Sequence, residues 1–406
     1  MLDTDYELTL EGAFDDDSSE SVTSNKFAKI REAASDVVVF STDWTTETIV
    51  SQINRGNIDL NPAFQRRNAW LEDRKSKFIE SLFLGLPVPQ IVLAENPEKK
   101  GSFIVIDGKQ RLLTIMQFCS PDGLVFQSFK LNKLEILTGL NGKTRSSIES
   151  VGIFPDMTQV DIASFDNQPI RTVIIRNWHY DVILYEIFLR LNQGSVQLSP
   201  QELRQALLPG GFTNFVDNAS ADNDSIREIL KLKQPDRRMR DAELLTRYYA
   251  FNNFIDKYDG DLKDFFDMTC SVFNERWNKE QEDLTKLTHT FDLAYEAAKT
   301  IFGQKGAFRK WYGDKFEPRI NRPLFDLFMY YLSDHSIRSD ALDHKVEVLS
   351  AFKTLCLEDY SFMTSIERGT ANISPTRYRF QKIAELLTGA IGKDIQSPII
   401  AAHRRD

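Results

Sequence analysis

The pattern of apolar and polar positions divides the chain into two parts. In residues 26–215, short runs of β-branched and other apolar residues stand between segments with helical spacing. Such runs are typical of buried strands, and they predict strands at 90–94, 103–106 and 171–176. An extended segment is also predicted at 57–64. This part of the chain therefore combines strands with helices.

Apolar residues at helical spacing predict four helices in the same part of the chain, at residues 46–55, 72–84, 109–118 and 181–191. Gly85 follows the second of these and is expected to end it. A further helix is predicted to begin after Ser199. Ser199 and Glu202 have the spacing of a capping box, and Pro200 takes the first helical position. This helix is expected to end at Pro209.

Long amphipathic patterns replace the strand signals in residues 216–406. These patterns cover residues 223–268, 273–302, 322–356 and 376–391. Each is typical of a helix that buries one face. We therefore expect an α+β protein, in which a mixed α/β domain at 26–215 precedes an all-helical domain at 216–406.

The formal net charge of −9 is concentrated at the N-terminus. Residues 1–25 contain eight acidic side chains and no lysine or arginine, which leaves a net charge of −1 for residues 26–406. The acidic segment is interpreted as a disordered, solvating tail, with a DNA-mimic or autoinhibitory role as the alternative. The nearly neutral remainder argues against a protein that coats DNA, although it leaves a local basic groove open.

Cysteine content and hydropathy indicate the cellular setting. Cys119, Cys270 and Cys356 lie far apart and show neither metal-site spacing nor a disulfide framework. No apolar run is long enough for a transmembrane helix, and the N-terminal segment lacks the pattern of a secretory signal. We therefore expect a cytoplasmic protein without a membrane partner.

The segment from Asp107 to Arg111 carries the strongest chemical signal. An apolar strand is followed by Asp-Gly, which favours a tight turn, and then by Lys-Gln-Arg at the start of an apolar helix. This order brings a carboxylate, backbone N–H groups and two cations to one place. Because helix N-termini attract anions, the turn predicts a site for a phosphorylated ligand. The alternative is a surface turn in which Arg111 forms a salt bridge and Gln110 caps the helix.

Two other segments have related chemistry. Residues 61–70 place Gln65 and Arg66 between an extended run and a helix, with Trp70 close behind. An arginine there is suited to bidentate contacts with phosphate, and the tryptophan is suited to line a pocket or stack on a base. Residues 187–194 place Arg190, Asn192 and Gly194 at the end of a helix. The alternatives are a solvated charge run with a core tryptophan and an ordinary helix C-cap.

In this order, these segments resemble the N-terminal domain family of GmrSD-type restriction proteins. That family is characterised by a DGQQR motif and is grouped with the ParB/sulfiredoxin-like fold. The resemblance covers residues 45–210. Lys109 departs from the motif, because the family usually has glutamine there. The positions that match family motifs are Gln65, Arg66, Asp107, Gly108, Gln110, Arg111, Arg190, Asn192, Gly194, Glu202 and Arg204.

The resemblance implies a module that binds and hydrolyses a nucleoside triphosphate with magnesium and senses nucleotides or modified DNA in defence against phage. The cations expected to neutralise the phosphates are Arg66, Lys109, Arg111 and Arg190. Asp107 is expected to hold magnesium or act as a general base, and Gln65 or Gln110 to orient water. Asp107, Gln110 and Arg111 are thus the expected catalytic residues. Glu202 and Arg204 are expected to support the site.

Two alternatives stay open. One is a ParB-like enzyme that binds or nicks DNA. The other is an interaction protein that senses nucleotides without turnover, which the lysine at position 109 favours because an amide that orients water would be lost. Longer family members usually end in an HNH nuclease domain. The five histidines of this chain are too scattered to predict one, so nuclease activity would come from a partner or from the motif itself.

Six basic residues are also close together in the sequence of the helical part. They are Lys231, Lys233, Arg237, Arg238, Arg240 and Arg247. We interpret them as a solvated face or as a cap over the pocket of the N-terminal domain. The alternative is a contact with the backbone of a nucleic acid.

Overall fold

A computed structural model describes residues 36–58, 60, 70–120, 126–151, 162–178, 183, 184, 187, 199–236 and 238–400. The described residues form two compact units. The first contains those up to Leu207 together with residues 236, 238 and 239, and the second contains Leu208–Pro235 and the residues from Arg240 onward. Within these ranges, no helix is both long enough and apolar enough to cross a bilayer.

The first unit contains four strands and six helices among its described residues. In chain order these are β1 (Val38–Thr45), α1 (Thr46–Asn54), α2 (Glu72–Phe83), β2 (Ile91–Glu95), β3 (Phe103–Asp107), α3 (Lys109–Cys119), α4 (Arg145–Val151), α5 (Ile162–Asp166), β4 (Pro169–Arg176) and α6 (Pro200–Leu207). Predicted strands and helices at these positions are confirmed to within a few residues. Most of the helix predicted at 181–191 and of the extended segment at 57–64 lies outside the described residues.

The four strands form one mixed sheet in the order β1-β4-β2-β3. β1 is antiparallel to β4, and β2 is antiparallel to β3, whereas β2 and β4 run parallel. Strand β1 was not predicted from the sequence. Its side chains alternate between more and less exposed positions, with Phe40, Thr42 and Trp44 on the less exposed face. Such alternation suits a strand at the edge of a sheet.

Helices α2 and α3 pack against each other within the core of the first unit. The ring of Phe118 lies 5.9 Å from Phe83, 6.4 Å from Phe129 and 5.3 Å from Phe165. Gly85 follows α2 with φ 68°, as expected for the residue that ends a helix in the left-handed conformation. This packing anchors the end of α3, whose first turn follows directly on the Asp107–Gly108 connection from β3.

The second unit is mainly helical. Its elements are α7 (Gly211–Asp222), α8 (Asp224–Leu230), α9 (Arg240–Phe254), α10 (Leu262–Phe302), β5 (Trp311–Tyr312), β6 (Lys315–Phe316), α11 (Arg322–Ser333), α12 (His335–Asp343), α13 (Lys345–Glu358), α14 (Tyr360–Glu367) and α15 (Ile373–Ile391). The α+β class is thereby confirmed. The short hairpin of β5 and β6 was not predicted.

The helix boundaries of this unit differ from the sequence prediction in three places. The pattern predicted at 223–268 is divided among α8, α9 and the beginning of α10, with breaks after Leu230 and after Phe254. α10 continues through residues 269–272, where the prediction had a break, since these residues include neither glycine nor proline. The pattern predicted as one helix at 322–356 is three helices. Asp334 ends the first and begins the second, because its carboxylate accepts a hydrogen bond from the N–H of Ile337.

Arg247 was predicted to belong to a cluster of basic surface residues, and this prediction is wrong. Its side chain is only 1% exposed, and its Nε lies 2.5 Å from Oδ1 of Asp326, which is fully buried. Arg247 therefore belongs to the core of the second unit and not to a basic surface. The basic residues near position 240 suggested a solvated face, but α9 is buried on nearly all sides. Lys231 and Lys233 are exposed, as predicted, whereas Arg237 lies outside the described residues.

Candidate functional site

The end of β3 directs Asp107 away from the regular strand. Val92 pairs with Asp107, but the next residue, Leu93, pairs with Val105. Ile106 is therefore an extra residue in β3 and forms a β-bulge, with its side chain fully buried. Bulges change the direction of the neighbouring side chain and often lie beside functional sites. This bulge sets the position of the Asp107 carboxylate.

Gly108 connects β3 to α3 in a conformation that favours glycine. Its φ is +98°, and it is the N-cap residue of α3. A Cβ at this position would lie 3.0 Å from Cγ1 of Ile91 and 3.2 Å from Nη2 of Arg111. Glycine is therefore needed both for the turn and for the close approach of the arginine side chain.

Asp107 and Arg111 form an ion pair across the turn. Nη2 of Arg111 lies 2.7 Å from Oδ2 of Asp107 and also donates a 2.9 Å hydrogen bond to the backbone oxygen of Gln90. The Asp107 side chain is 29% exposed and that of Arg111 is 11% exposed. The salt bridge of the alternative interpretation is thus present, but no side chain caps α3, so Gln110 does not have the capping role.

Two buried polar atoms of this turn have no hydrogen-bond partner among the residues that the structure describes. They are Oε1 of Gln110 and Nε of Arg111. Buried polar atoms are normally satisfied, so such atoms need an explanation. They also lie at the start of a helix whose first turn contains no acidic side chain. The Nε of Arg111, unpaired within the described ranges, is a donor suited to an anion, whereas Oε1 of Gln110 is an acceptor and needs a donor such as water.

The predicted capping box at Ser199 is confirmed. The Ser199 N–H donates to Oε2 of Glu202 at 2.6 Å, and the Glu202 N–H donates to the Ser199 hydroxyl at 3.1 Å. The Ser199 hydroxyl also donates to the backbone oxygen of Arg238, and Nε of Arg238 lies 3.5 Å from Oε2 of Glu202. α6 packs beside β3. The capping box thus lies close to the Asp107–Arg111 turn.

Glu202 interacts electrostatically with Lys109 of the turn. Burial raises the pKa of Glu202, while the Ser199 N–H, Arg238 and Lys109 favour the carboxylate and oppose this rise. Glu202 was expected from the sequence to support the site, but Arg238 was not expected beside it. No sequence signal links residues this far apart, because their proximity results from the packing of residues 236–239 with the first unit.

The raised pKa of Glu202 predicts a pH-dependent stability. Above the ordinary glutamic acid pKa the unfolded chain ionises this group while the folded chain resists ionisation, so stability falls as pH rises. Glu202→Gln keeps the cap without the charge. We expect the free energy of unfolding of this variant, relative to the wild type, to be higher at about pH 7.5 than at about pH 4.5. Urea unfolding at the two pH values measures this.

The exposed Glu275 provides the control for this measurement, since Glu275→Gln should shift stability equally at both pH values. If Glu202→Gln also changed stability equally at the two pH values, the raised pKa of Glu202 would be contradicted.

Of the other predicted site residues, two lie within the described part of the chain. Trp70 packs edge-on to Phe78, with the ring centroids 5.6 Å apart, and the guanidinium of Arg74 lies 4.7 Å from its ring. Arg204 is buried, and its Nη1 donates to Oε1 of Gln201. Their roles at the site stay predictions. Gln65, Arg66, Arg190, Asn192 and Gly194 lie outside the described residues.

Fold and site together define a class of protein: a mixed α/β domain with a polar strand–turn–helix site, joined to a helical unit. Within that class, residues 46–209 match the family model described as the GmrSD restriction endonuclease, N-terminal domain. The chain therefore contains a domain of this family, as the sequence predicted. No match was found among curated proteins or among solved structures. The ParB/sulfiredoxin-like grouping stays an implication of the resemblance.

Proposed function

We propose that the first unit binds a nucleoside triphosphate with magnesium at the Asp107–Arg111 turn and hydrolyses it, and that this reaction regulates a restriction or defence response. The observation that carries the proposal is the composition of the turn. Lys109 and Arg111 begin a helix that has no acidic residue in its first turn and no side-chain cap. Phosphate groups bind favourably at such helix N-termini.

We assign a phosphate contact to Arg111. Its Nη2 is engaged by Asp107 and by the Gln90 carbonyl, while its Nε has no partner among the described residues. A guanidinium has five N–H donors, so it can keep its anchor to Gln90 and still donate to a phosphate oxygen. Lys109 adds a second cation in the same turn.

We assign the hydrolytic step to Asp107 and Gln110. The Asp107 carboxylate is partly exposed and can accept a proton from an attacking water. The buried Oε1 of Gln110 lacks a partner within the described part of the chain, and it can accept a hydrogen bond from the same water and orient it. In this assignment Gln110 orients water, although lysine replaces the usual glutamine at position 109.

Magnesium fits this site only as an ion that arrives with the nucleotide. No group of three or more histidine, cysteine or acidic side chains suited to a metal occurs among the described residues. Asp107 offers a single carboxylate. Magnesium that travels with phosphates needs only one or two protein carboxylates, so Asp107 would hold it as the alternative to acting as the general base. The ion would supply neutralisation of phosphate charge when bound.

The regulatory part of the proposal rests on the name of the matching domain, which belongs to a restriction endonuclease. A nucleotide-dependent module in such a protein would control when nucleic acid is cut. We therefore propose DNA or a partner nuclease as the target of the regulation. The coupling would be a difference in affinity for that target between the nucleotide-bound and nucleotide-free states.

The proposal is tested with the four nucleoside triphosphates, each in the presence of magnesium. Calorimetry measures binding to the full chain, and release of inorganic phosphate measures turnover. We expect at least one nucleotide to bind and to be hydrolysed. Binding without phosphate release would contradict the hydrolytic part alone, and absence of binding by all four would contradict the whole proposal.

Arg111→Ala should lower kcat/KM for the preferred nucleotide at least about a hundredfold, because it removes a donor aimed at developing phosphate charge. Arg171→Ala is the matched control. Arg171 also forms an ion pair with an aspartate, with its Nε 3.0 Å from Oδ1 of Asp43, but it lies on β4 and not at the start of α3. Its loss should leave turnover unchanged. Equal effects of the two substitutions would show that Arg111 has no specific role.

A further inference from the structure

A wide groove lies between α13 and α15 of the second unit. Its volume is about 1070 Å³, and it is open to solvent. Large apolar side chains flank it at the two ends of α13, where Val346 is 69% exposed and Tyr360 is 84% exposed. The groove is separate from the site proposed above, because all its lining residues belong to the second unit.

Small residues of both helices line part of the groove. Ser350 and Ala351 contribute from α13, and Gly389 and Ala390 contribute from α15. A Cβ built at Gly389 would meet no atom within 4 Å. Glycine inside a helix lowers helix stability, and here it is not required by any close contact. Together these residues leave a channel in which another helix can approach closely.

The charge of the groove is acidic. Its lining includes four carboxylates and one ammonium group. The ammonium group belongs to Lys382, which is already paired with Glu385 at 2.9 Å. Glu347 and Glu358, both exposed, form no ion pair with any residue that the structure describes. The groove therefore presents carboxylates that are available to a cationic partner.

The distance between these two carboxylates indicates where a helix bound in the groove would carry its cations. Glu347 and Glu358 are eleven residues apart on α13, which corresponds to three helical turns and about 16 Å along one face. A second helix laid along α13 would meet both if it carried cations three turns apart. Its apolar side chains would cover the small residues between them.

We propose that this groove docks an amphipathic helix of a partner protein, with lysine or arginine side chains three turns apart on either side of an apolar stripe. The negative rim disfavours nucleic acid and anionic lipid, because both would be repelled. The acidic residues 1–25 of this chain are disfavoured for the same reason. The partner is thus a cationic, helical protein segment.

The probe is a synthetic amphipathic peptide of about 18 residues with an apolar stripe and two lysines eleven positions apart, titrated into the full chain by fluorescence anisotropy. A matched peptide carries glutamate in place of both lysines. We expect the lysine peptide to bind at least about tenfold more tightly than the glutamate peptide, because like charges would face each other in the second complex.

Two variants test the same surface in different ways. Gly389→Phe fills the groove without changing charge, and Glu347→Lys with Glu358→Lys reverses the rim without filling it. Each should weaken binding of the lysine peptide at least about tenfold, and the charge reversal should favour the glutamate peptide. Glu275→Lys with Glu282→Lys, on exposed positions of α10, changes net charge equally and should have no effect. Circular dichroism verifies folding of each variant.

Several results would overturn the proposal. They are absence of measurable binding of the lysine peptide, equal affinity for the two peptides, and unchanged binding by both groove variants. Sedimentation of the wild type alone provides a separate test. Self-association that Gly389→Phe abolishes would show that a second copy of the chain occupies the groove instead.

Discussion

Asp107→Asn should reduce hydrolysis of the preferred nucleoside triphosphate at least about a hundredfold while the fold stays intact. Asparagine cannot accept a proton from water, but its side-chain oxygen can still accept the hydrogen bond that Arg111 donates to Asp107. Arg111 also keeps its 2.9 Å contact with the Gln90 carbonyl. The geometry of the turn is therefore retained. Phosphate release measures the effect, and circular dichroism with calorimetric binding shows that the site persists.

The matched control is Asp43→Asn. Asp43 is also an aspartate paired with an arginine on the same sheet, since it lies 3.0 Å from Nε of Arg171. It belongs to β1 and has no proposed contact with the nucleotide. Its substitution should leave turnover within about twofold of the wild type. Unchanged turnover in a folded Asp107→Asn protein would remove the proposed general base.

Asp326→Leu should have the largest effect on stability, a loss of about 3–5 kcal/mol in the free energy of unfolding. Asp326 is fully buried, and its two oxygens accept hydrogen bonds from Nε and Nη2 of Arg247 at 2.5 and 2.7 Å. Removing one partner leaves the arginine charge buried and uncompensated. The cost of that uncompensated charge exceeds the gain from the added apolar surface. Urea-induced unfolding of the second unit, followed by tryptophan fluorescence, measures this loss.

A double variant separates the buried charge from a general packing defect. Arg247→Met combined with Asp326→Leu removes both charges and keeps similar volumes, so it should recover most of the stability. The exposed pair of Lys286 and Asp283 is the control, and Asp283→Asn should change stability by less than about 1 kcal/mol. The interpretation would be wrong if the double variant were as unstable as Asp326→Leu.

Lys109, which departs from the DGQQR motif, interacts electrostatically with Glu202. Lysine brings an additional positive charge into the turn, and the carboxylate of Glu202 interacts with it from the start of α6. The same carboxylate completes the capping box with Ser199. A glutamine at position 109 would bring no such charge to the turn. The electrostatic balance therefore depends on two segments that are far apart in the sequence.

The local signals in the sequence determined much of this protein. Strands β2, β3 and β4, helices α1 to α3 and the capping box at Ser199 were predicted close to their final bounds. Each depends on side-chain periodicity or on hydrogen bonds between residues three or four positions apart. The ordered motifs likewise led to the GmrSD N-terminal domain family, which the family match confirms.

Only the tertiary structure decided the features that depend on distant contacts. The bulge at Ile106 arises from pairing with β2, and the proximity of Arg238 to Glu202 arises from packing of the 236–239 segment. Arg247 looked like a surface cation because charge predicts exposure, until its pairing with Asp326 placed it in the core. Periodicity reports which face of one element is apolar, but not which partner covers that face or which charges meet across it.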